Sequence, residues 1–195
     1  MTRTRRYTQR KRAAAREETH ERIVEATMQL HEEVGPRATT ISAIAQRAGV
    51  QRLTVYRHFP DETAVFEACT ARWLELHPPP EPAGWASCEA GEERARATLL
   101  AFYRYYRGTQ RMWRAAHRDE PEVPALQGPM AAFRDYLREV GEGLCEGFGA
   151  DRDSRLATTL QHGLAFTTWA SLEAQGLDDA AMADLVVAWL EGLVA

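Results

Sequence analysis

The chain has 195 residues, 45% of them hydrophobic, and a formal net charge of −4. That length and apolar content suit one large domain, or a small domain attached to a medium one, and they exclude wholesale disorder. The charge is unevenly placed: residues 1–60 hold 12 Lys or Arg against 6 Asp or Glu, and the remainder holds 12 against 22.

A basic first third on an acidic body predicts an anion-binding end, with nucleic acid the leading candidate. Cys69, Cys88 and Cys145 are odd in number, widely spaced and without a CxxC pair. Neither a disulfide framework nor a zinc site is predicted, no His/Asp/Glu cluster has metal spacing, and a reducing compartment fits. The basic N-terminus runs into Glu-rich polar sequence and so does not read as a signal peptide, and no apolar run approaches the ~18 residues of a membrane span.

Ala, Leu, Glu and Arg dominate and Val and Ile are few, which predicts helix throughout. Residues 1–16 carry seven basic side chains and no acidic one. They read as a mobile arm that extends the first helix at its end, with Arg5, Arg6, Arg10, Lys11 and Arg12 placed to meet DNA. The first helix is predicted over 17–34, with Ile23, Ala26, Leu30 and Val34 at helical spacing. Gly35-Pro36 stops it. Thr40 stands as N-cap of a second helix carrying Ile41, Ile44 and Ala45, which Gly49 ends by supplying a left-handed turn. A third helix, about Arg52 to His58, buries Leu53 or Val55 together with Phe59. Pro60 closes it, and Asp61 caps a fourth helix running to about His77.

The prolines at 78–80, Pro82 and Gly84 mark a loop. Further helices are predicted over about 91–107, 110–117, 125–148, 152–175 and 179–194, making nine, with no strand and no internal repeat.

Two short helices joined by a glycine turn make the helix-turn-helix pattern of a DNA reader. In QRLTVYRH the inward and outward jobs separate. Val55 and Phe59 form an inward i, i+4 pair, while Gln51, Arg52, Thr54 and Arg57 project outward. Arg pairs with two acceptors of guanine and a Thr methyl touches thymine. Tyr56 and His58 suit phosphate oxygens, and Thr40 offers a hydroxyl and helix-start N–H groups to another phosphate. By periodicity alone, the same stretch equally describes any small helical hairpin.

The run from Thr39 to Phe66, TTISAIAQRAGVQRLTVYRHFPDETAVF, resembles the N-terminal domain of the TetR family of transcriptional regulators. The matching pieces are Thr39-Thr40, Ile44-Ala45, Ala48-Gly49-Val50, Thr54-Val55-Tyr56 and His58-Phe59-Pro60, in register without gaps. The resemblance covers roughly 19–68. It implies an all-α protein: a three-helix helix-turn-helix DNA-binding domain over 17–60, and a six-helix ligand-binding and dimerisation domain over 61–195. It further implies a homodimer on double-stranded palindromic DNA, repression released by a small-molecule effector, and a bacterial, cytoplasmic setting. Thr40 and His58 would meet phosphate, and Arg52, Thr54, Tyr56 and Arg57 would lie in or beside the major groove. Two positions depart from the pattern. Leu53 stands where a small residue is common, and Glu62 where many relatives have a Lys that a carboxylate cannot replace against phosphate.

For the body, Leu160 and Leu164 on one stripe and Leu185 and Trp189 on another offer a dimer seam. Trp73, Phe102, Tyr106, Trp113, Phe133 and Phe166, with His162 as a polar group, are the candidates to line a pocket for an apolar ligand. The same residues equally describe a filled core. With no GxSxG, phosphate loop, HExxH or Cys-His pairing, an enzyme is not expected, and neither a cofactor nor a membrane partner is implied. The competing readings are an activator or effector-independent DNA-binding protein of the same fold, and an all-helical protein-interaction module.

Overall fold

The computed structural model describes residues 2–151 and 154–194, with the side chains of 2–6, 8 and 194 outside the description. The described residues are all-helical: α1 (Thr2–Glu33), α2 (Ile41–Arg47), α3 (Arg52–His58), α4 (Glu62–Leu76), α5 (Glu92–Asp119), α6 (Pro124–Gly147), α7 (Arg155–Leu164), α8 (Phe166–Glu173) and α9 (Asp179–Val194). Short 3-10 turns lie at Pro36–Ala38 and Pro82–Gly84. The chain divides into two compact units. One comprises Met1–His77 and Arg114–Gln127, the other Pro78–Trp113 and Gly128–Ala195.

In the first unit, Ile23, Ala26 and Leu30 of α1 meet Ile41, Ile44 and Ala45 of α2, Val55 of α3 and Val65 of α4. Each lies on the apolar stripe of its helix, so one small core orients all four. Thr27, fully buried beside the stripe, returns its hydroxyl to the Ile23 carbonyl at 2.8 Å. Gly35 ends this region of α1 at φ 93, a left-handed value that favours glycine. The segment after it is tied to the end of α5: Asp119, 2% exposed, accepts from the Arg37 backbone N–H at 3.1 Å, and Arg118 donates to the Val34 carbonyl.

His31 joins α1 to α4. It lies edge-on to Phe66, with ring centroids 4.5 Å apart, and its Nδ1 is 3.6 Å from the Cys69 thiol. Burial lowers its pKa from 6.5 to about 4, against a weaker upward pull from Asp119.

In the second unit, α7 and α9 approach closely. A Cβ on Gly163 would stand 2.6 Å from a Val186 methyl carbon and 3.5 Å from Leu99, so glycine fits this crossing where a larger residue would not. Met182, Val186 and Leu190 form the inward stripe of α9, each with 0% exposure.

Four expectations are corrected and one alternative is resolved. The arm is helical: residues 2–16 continue α1 without a break, since Ala, Arg and Lys are good helix formers. Val34 lies beyond the helix end and is 47% exposed, so it leaves the apolar stripe. Of Leu53 and Val55, Val55 alone packs inward, and Leu53 is 59% exposed. The helices predicted over 91–107 and 110–117 are one helix, α5. The helix predicted over 152–175 is broken at Ala165, whose extended backbone (φ −70, ψ 141) separates α7 from α8.

That break is chemically stabilised. Ending α7 leaves its last carbonyls without helical partners. The Tyr103 hydroxyl donates to the Gly163 carbonyl and the Tyr106 hydroxyl to the Leu164 carbonyl, both at 2.8 Å. The Thr168 hydroxyl takes the His162 carbonyl at 2.5 Å. Burial pushes both tyrosine pKa values above their usual range, so the hydroxyls remain donors.

Candidate nucleic-acid interface

The turn between α2 and α3 is built from local chemistry. Thr40 caps α2, its Oγ1 accepting from the Ala43 N–H at 3.2 Å while the residue stays exposed. At the other end the Val50 N–H donates to the Ala45 carbonyl (2.9 Å), the Gly49 N–H donates to the Gln46 carbonyl (3.2 Å), and Gly49 takes φ 66. This is the Schellman arrangement, and it aims the chain sharply out of α2 into α3. Arg47 at the end of α2 makes a two-pronged pair with Glu33 (2.9 and 2.6 Å), and Arg22 of α1 donates to the Ala48 carbonyl at 3.3 Å.

α3 is held by Val55, with 0% exposure, and by Phe59 just past its end. Its opposite side is free: Gln51, Arg52, Leu53, Tyr56 and Arg57 are exposed, and Thr54 and His58 are half-buried. Positions 52, 53, 56 and 57 share one stripe of a helix. Two guanidinium groups, a phenol and an aliphatic side chain therefore form one outward surface, and α3 itself carries no carboxylate. Arg can fork onto a guanine edge or a phosphate, and the phenol can donate to phosphate.

His58 packs against α1, its ring centroid 6.1 Å from that of His20, which itself lies 4.6 Å from Phe59. Burial, then the nearby His20 and Arg16, lower its pKa. These influences favour the uncharged imidazole.

The fourth helix begins with Asp61, whose carboxylate accepts from the Ala64 N–H at 2.8 Å. Glu62 follows in the exposed first turn. Arg10, Lys11 and Arg12 are exposed along the first half of α1, whereas the side chains of Arg5 and Arg6 lie outside the described residues. Leu53, which the sequence left as a candidate for burial, stands on the surface. The available signal was the i, i+4 pairing of Val55 with Phe59, which turns position 53 outward.

In the second unit the structure gathers Phe102, Tyr106, Trp113, Phe133 and Phe166 into one group. Trp113 and Phe133 centroids are 4.3 Å apart, Tyr106 and Phe166 5.4 Å, and Phe102 and Tyr106 6.1 Å. These rings pack against one another in tilted or edge-on pairs. Trp73 belongs to the first unit, against His77 at 5.1 Å, and His162 is exposed. An open cleft of about 290 Å³ lies elsewhere in the second unit, lined by Trp85, Arg94, Tyr136, Val140 and Leu144 among others. The seam candidates also separate. Leu160 and Leu164 are core, at 0% exposure, while Leu185, Trp189 and Leu193 form an exposed stripe on α9. Among the described residues, no group of His, Cys, Asp and Glu is placed to hold a metal, and no helix is long and apolar enough to cross a membrane.

Residues 23–69 match the family described as bacterial regulatory proteins, tetR family. The HTH-type transcriptional regulator SrpR of Pseudomonas putida is 40% identical over 62 residues, 32% of this chain and 29% of SrpR. The chain thus matches under a third of the length of this curated relative. A tetR-family transcriptional regulator from Streptomyces coelicolor superposes with a TM-score of 0.61 at 18% identity, covering 91% of this chain and 80% of that one. A TetR-like transcriptional regulator from Rhodococcus sp. RHA1 gives 0.60 at 18% identity, covering 88% and 93%. At such identities the likeness is one of fold, and it extends over most of the chain.

Proposed function

We propose that this chain, which belongs to the TetR family of bacterial regulatory proteins, is a sequence-specific DNA-binding transcriptional regulator that represses from a palindromic operator and is released by a small, largely apolar molecule. The observation that carries the reading is α3. Val55 is wholly buried while Arg52, Tyr56 and Arg57 stand exposed on the other side. A helix so held presents its polar face to a major groove. Gln51, Arg52, Thr54 and Arg57 serve as base-facing residues, and Thr40, Tyr56, His58 and the basic residues of the arm serve phosphate. In this reading residues 17–60 do the DNA reading and 61–195 serve effector binding and dimerisation, although α4 shares the core of α1–α3.

One α3 spans too few base pairs for selectivity, and two related by a two-fold axis reach half-sites about 34–36 Å apart. The exposed Leu185, Trp189 and Leu193 stripe on α9 supports a second copy as the partner. Effector binding would favour a conformation with wrongly spaced α3 helices and so lower DNA affinity. Chemistry on a substrate is not part of this reading.

The test is selection of bound sequences from random DNA. A palindrome is expected, and Arg52→Ala and Arg57→Ala should each cost about 10-fold or more, at the magnitude of a bidentate base contact. A flat selection at moderate salt, or full affinity in both variants, would remove the reading. A second reading, an effector-independent regulator or activator of the same fold, is favoured by the close ring packing of Trp113, Phe133, Tyr106 and Phe166. Genome-wide occupancy that no small molecule changes would select it.

A further inference from the structure

Leu53 has no structural work within the described residues that its exposure would not contradict. Val55 and Phe59 anchor α3, and Leu53, at 59% exposure, is the most exposed leucine described. It stands between Arg52 and the Tyr56–Arg57 pair on the outward stripe, in a helix with two guanidinium groups and no carboxylate. That charge suits a polyanion rather than an apolar protein face. A leucine neither donates nor accepts a hydrogen bond, so on a major-groove floor it can recognise only an apolar feature. The base edges offer one such feature, the C5 methyl of thymine.

We propose that Leu53 is a specificity-determining residue that packs on a thymine methyl in each half-site. The inference rests on the reading of α3 as the base-facing helix and adds a component to it. Arg52 and Arg57 select hydrogen-bond acceptors, while Leu53 selects a methyl. It also gives the departure at this position a consequence. A small residue would leave the groove floor untouched there, whereas a leucine buries apolar area only where a methyl is waiting.

The experiment uses the full chain and the operator obtained by selection, with each thymine replaced in turn by uracil, which lacks only the methyl. For the unaltered protein, uracil at one thymine per half-site is expected to weaken binding by about fourfold, the equivalent of one buried methyl-sized group. Leu53→Ala should bind the parent operator more weakly and be indifferent to that same replacement. Leu53→Met, which keeps an apolar side chain of similar volume, should retain the uracil penalty. Because position 53 is exposed, neither substitution threatens folding, and circular dichroism confirms this. Equal uracil penalties in the unaltered protein and in Leu53→Ala overturn the proposal, as does the absence of a penalty at every thymine. If the unaltered protein selects no sequence at all, the DNA-reading assignment of α3 falls instead, so the two failures are distinguishable.

Discussion

His31 shows how one side chain makes the first unit sensitive to acid. It is 4% exposed, lies against Phe66 and Cys69, and its Nε2 finds no hydrogen-bond partner among the described residues. Its pKa in the fold is about 4, against 6.5 for a free imidazole, because burial disfavours the charged ring. Between those values the unfolded chain takes up a proton that the folded chain refuses. Stability is therefore complete above about pH 6.5 and declines as pH falls towards 4, by about 3 kcal/mol in all. Chemical denaturation between pH 7 and 4 should show this slope, and His31→Leu should remove most of it. What remains in this range should belong to His58, whose pKa is also lowered; Asp119, whose carboxyl is held low by Arg118 and Arg37, loses its contribution only at more acid pH. An unchanged slope in His31→Leu would show that the imidazole is not the acid-sensitive group.

Among the elements, the α7–α8 break depends on donors from α5. Tyr103 and Tyr106 lie three residues apart on one face of that helix and reach the Gly163 and Leu164 carbonyls, about 60 residues away. Tyr103→Phe and Tyr106→Phe each leave a buried carbonyl unmet, and each should cost about 1–3 kcal/mol in urea denaturation. The hydrogen-bond account fails if both substitutions are neutral. The same element explains what a sequence reader can and cannot see. The α2–α3 hairpin is legible because its determinants are adjacent in the chain: Thr40 as cap, Gly49 at the turn, Val55 and Phe59 inward. The break at Ala165 is not, because two of its three hydrogen-bond donors, Tyr103 and Tyr106, are distant in sequence and Thr168 alone does not demand it. The opposite case is α5, predicted as two helices: a glycine at 108 weakens a helix by about 1 kcal/mol, but the buried series Phe102, Tyr106 and Trp113 continues past it and holds α5 intact. The outward stripe of α3 was readable except at Leu53, where apolar character pointed inward and the competing claim of Val55 won. The aromatic group of the second unit was readable as a cluster, but spacing alone does not say whether rings leave a gap or fill it.

For the whole molecule, the decisive feature is where charge lies along the chain. An acidic body of 12 basic and 22 acidic residues follows a first third of opposite sign, so attraction to DNA has to be concentrated in the N-terminal segment. Just beyond that segment Glu62 places a carboxylate at the exposed start of α4, and within it Arg47 is already engaged by Glu33. The first twelve residues hold six Lys or Arg and no carboxylate, in the first half of α1, and the described side chains there are exposed. Removing residues 1–12 takes away charge without touching the core of Ile23, Leu30 and Ile44. Phosphate contacts carry affinity and salt dependence but not sequence preference. The truncated chain should therefore select the same operator with lower affinity. Its plot of log affinity against log salt should flatten by about one unit for every phosphate the arm neutralises. Titrations of full-length and truncated protein on one operator, from low to moderate salt, read both quantities. An unchanged slope would place the phosphate contacts on α2, α3 and α4 alone, and a changed operator would make the arm a reader of bases.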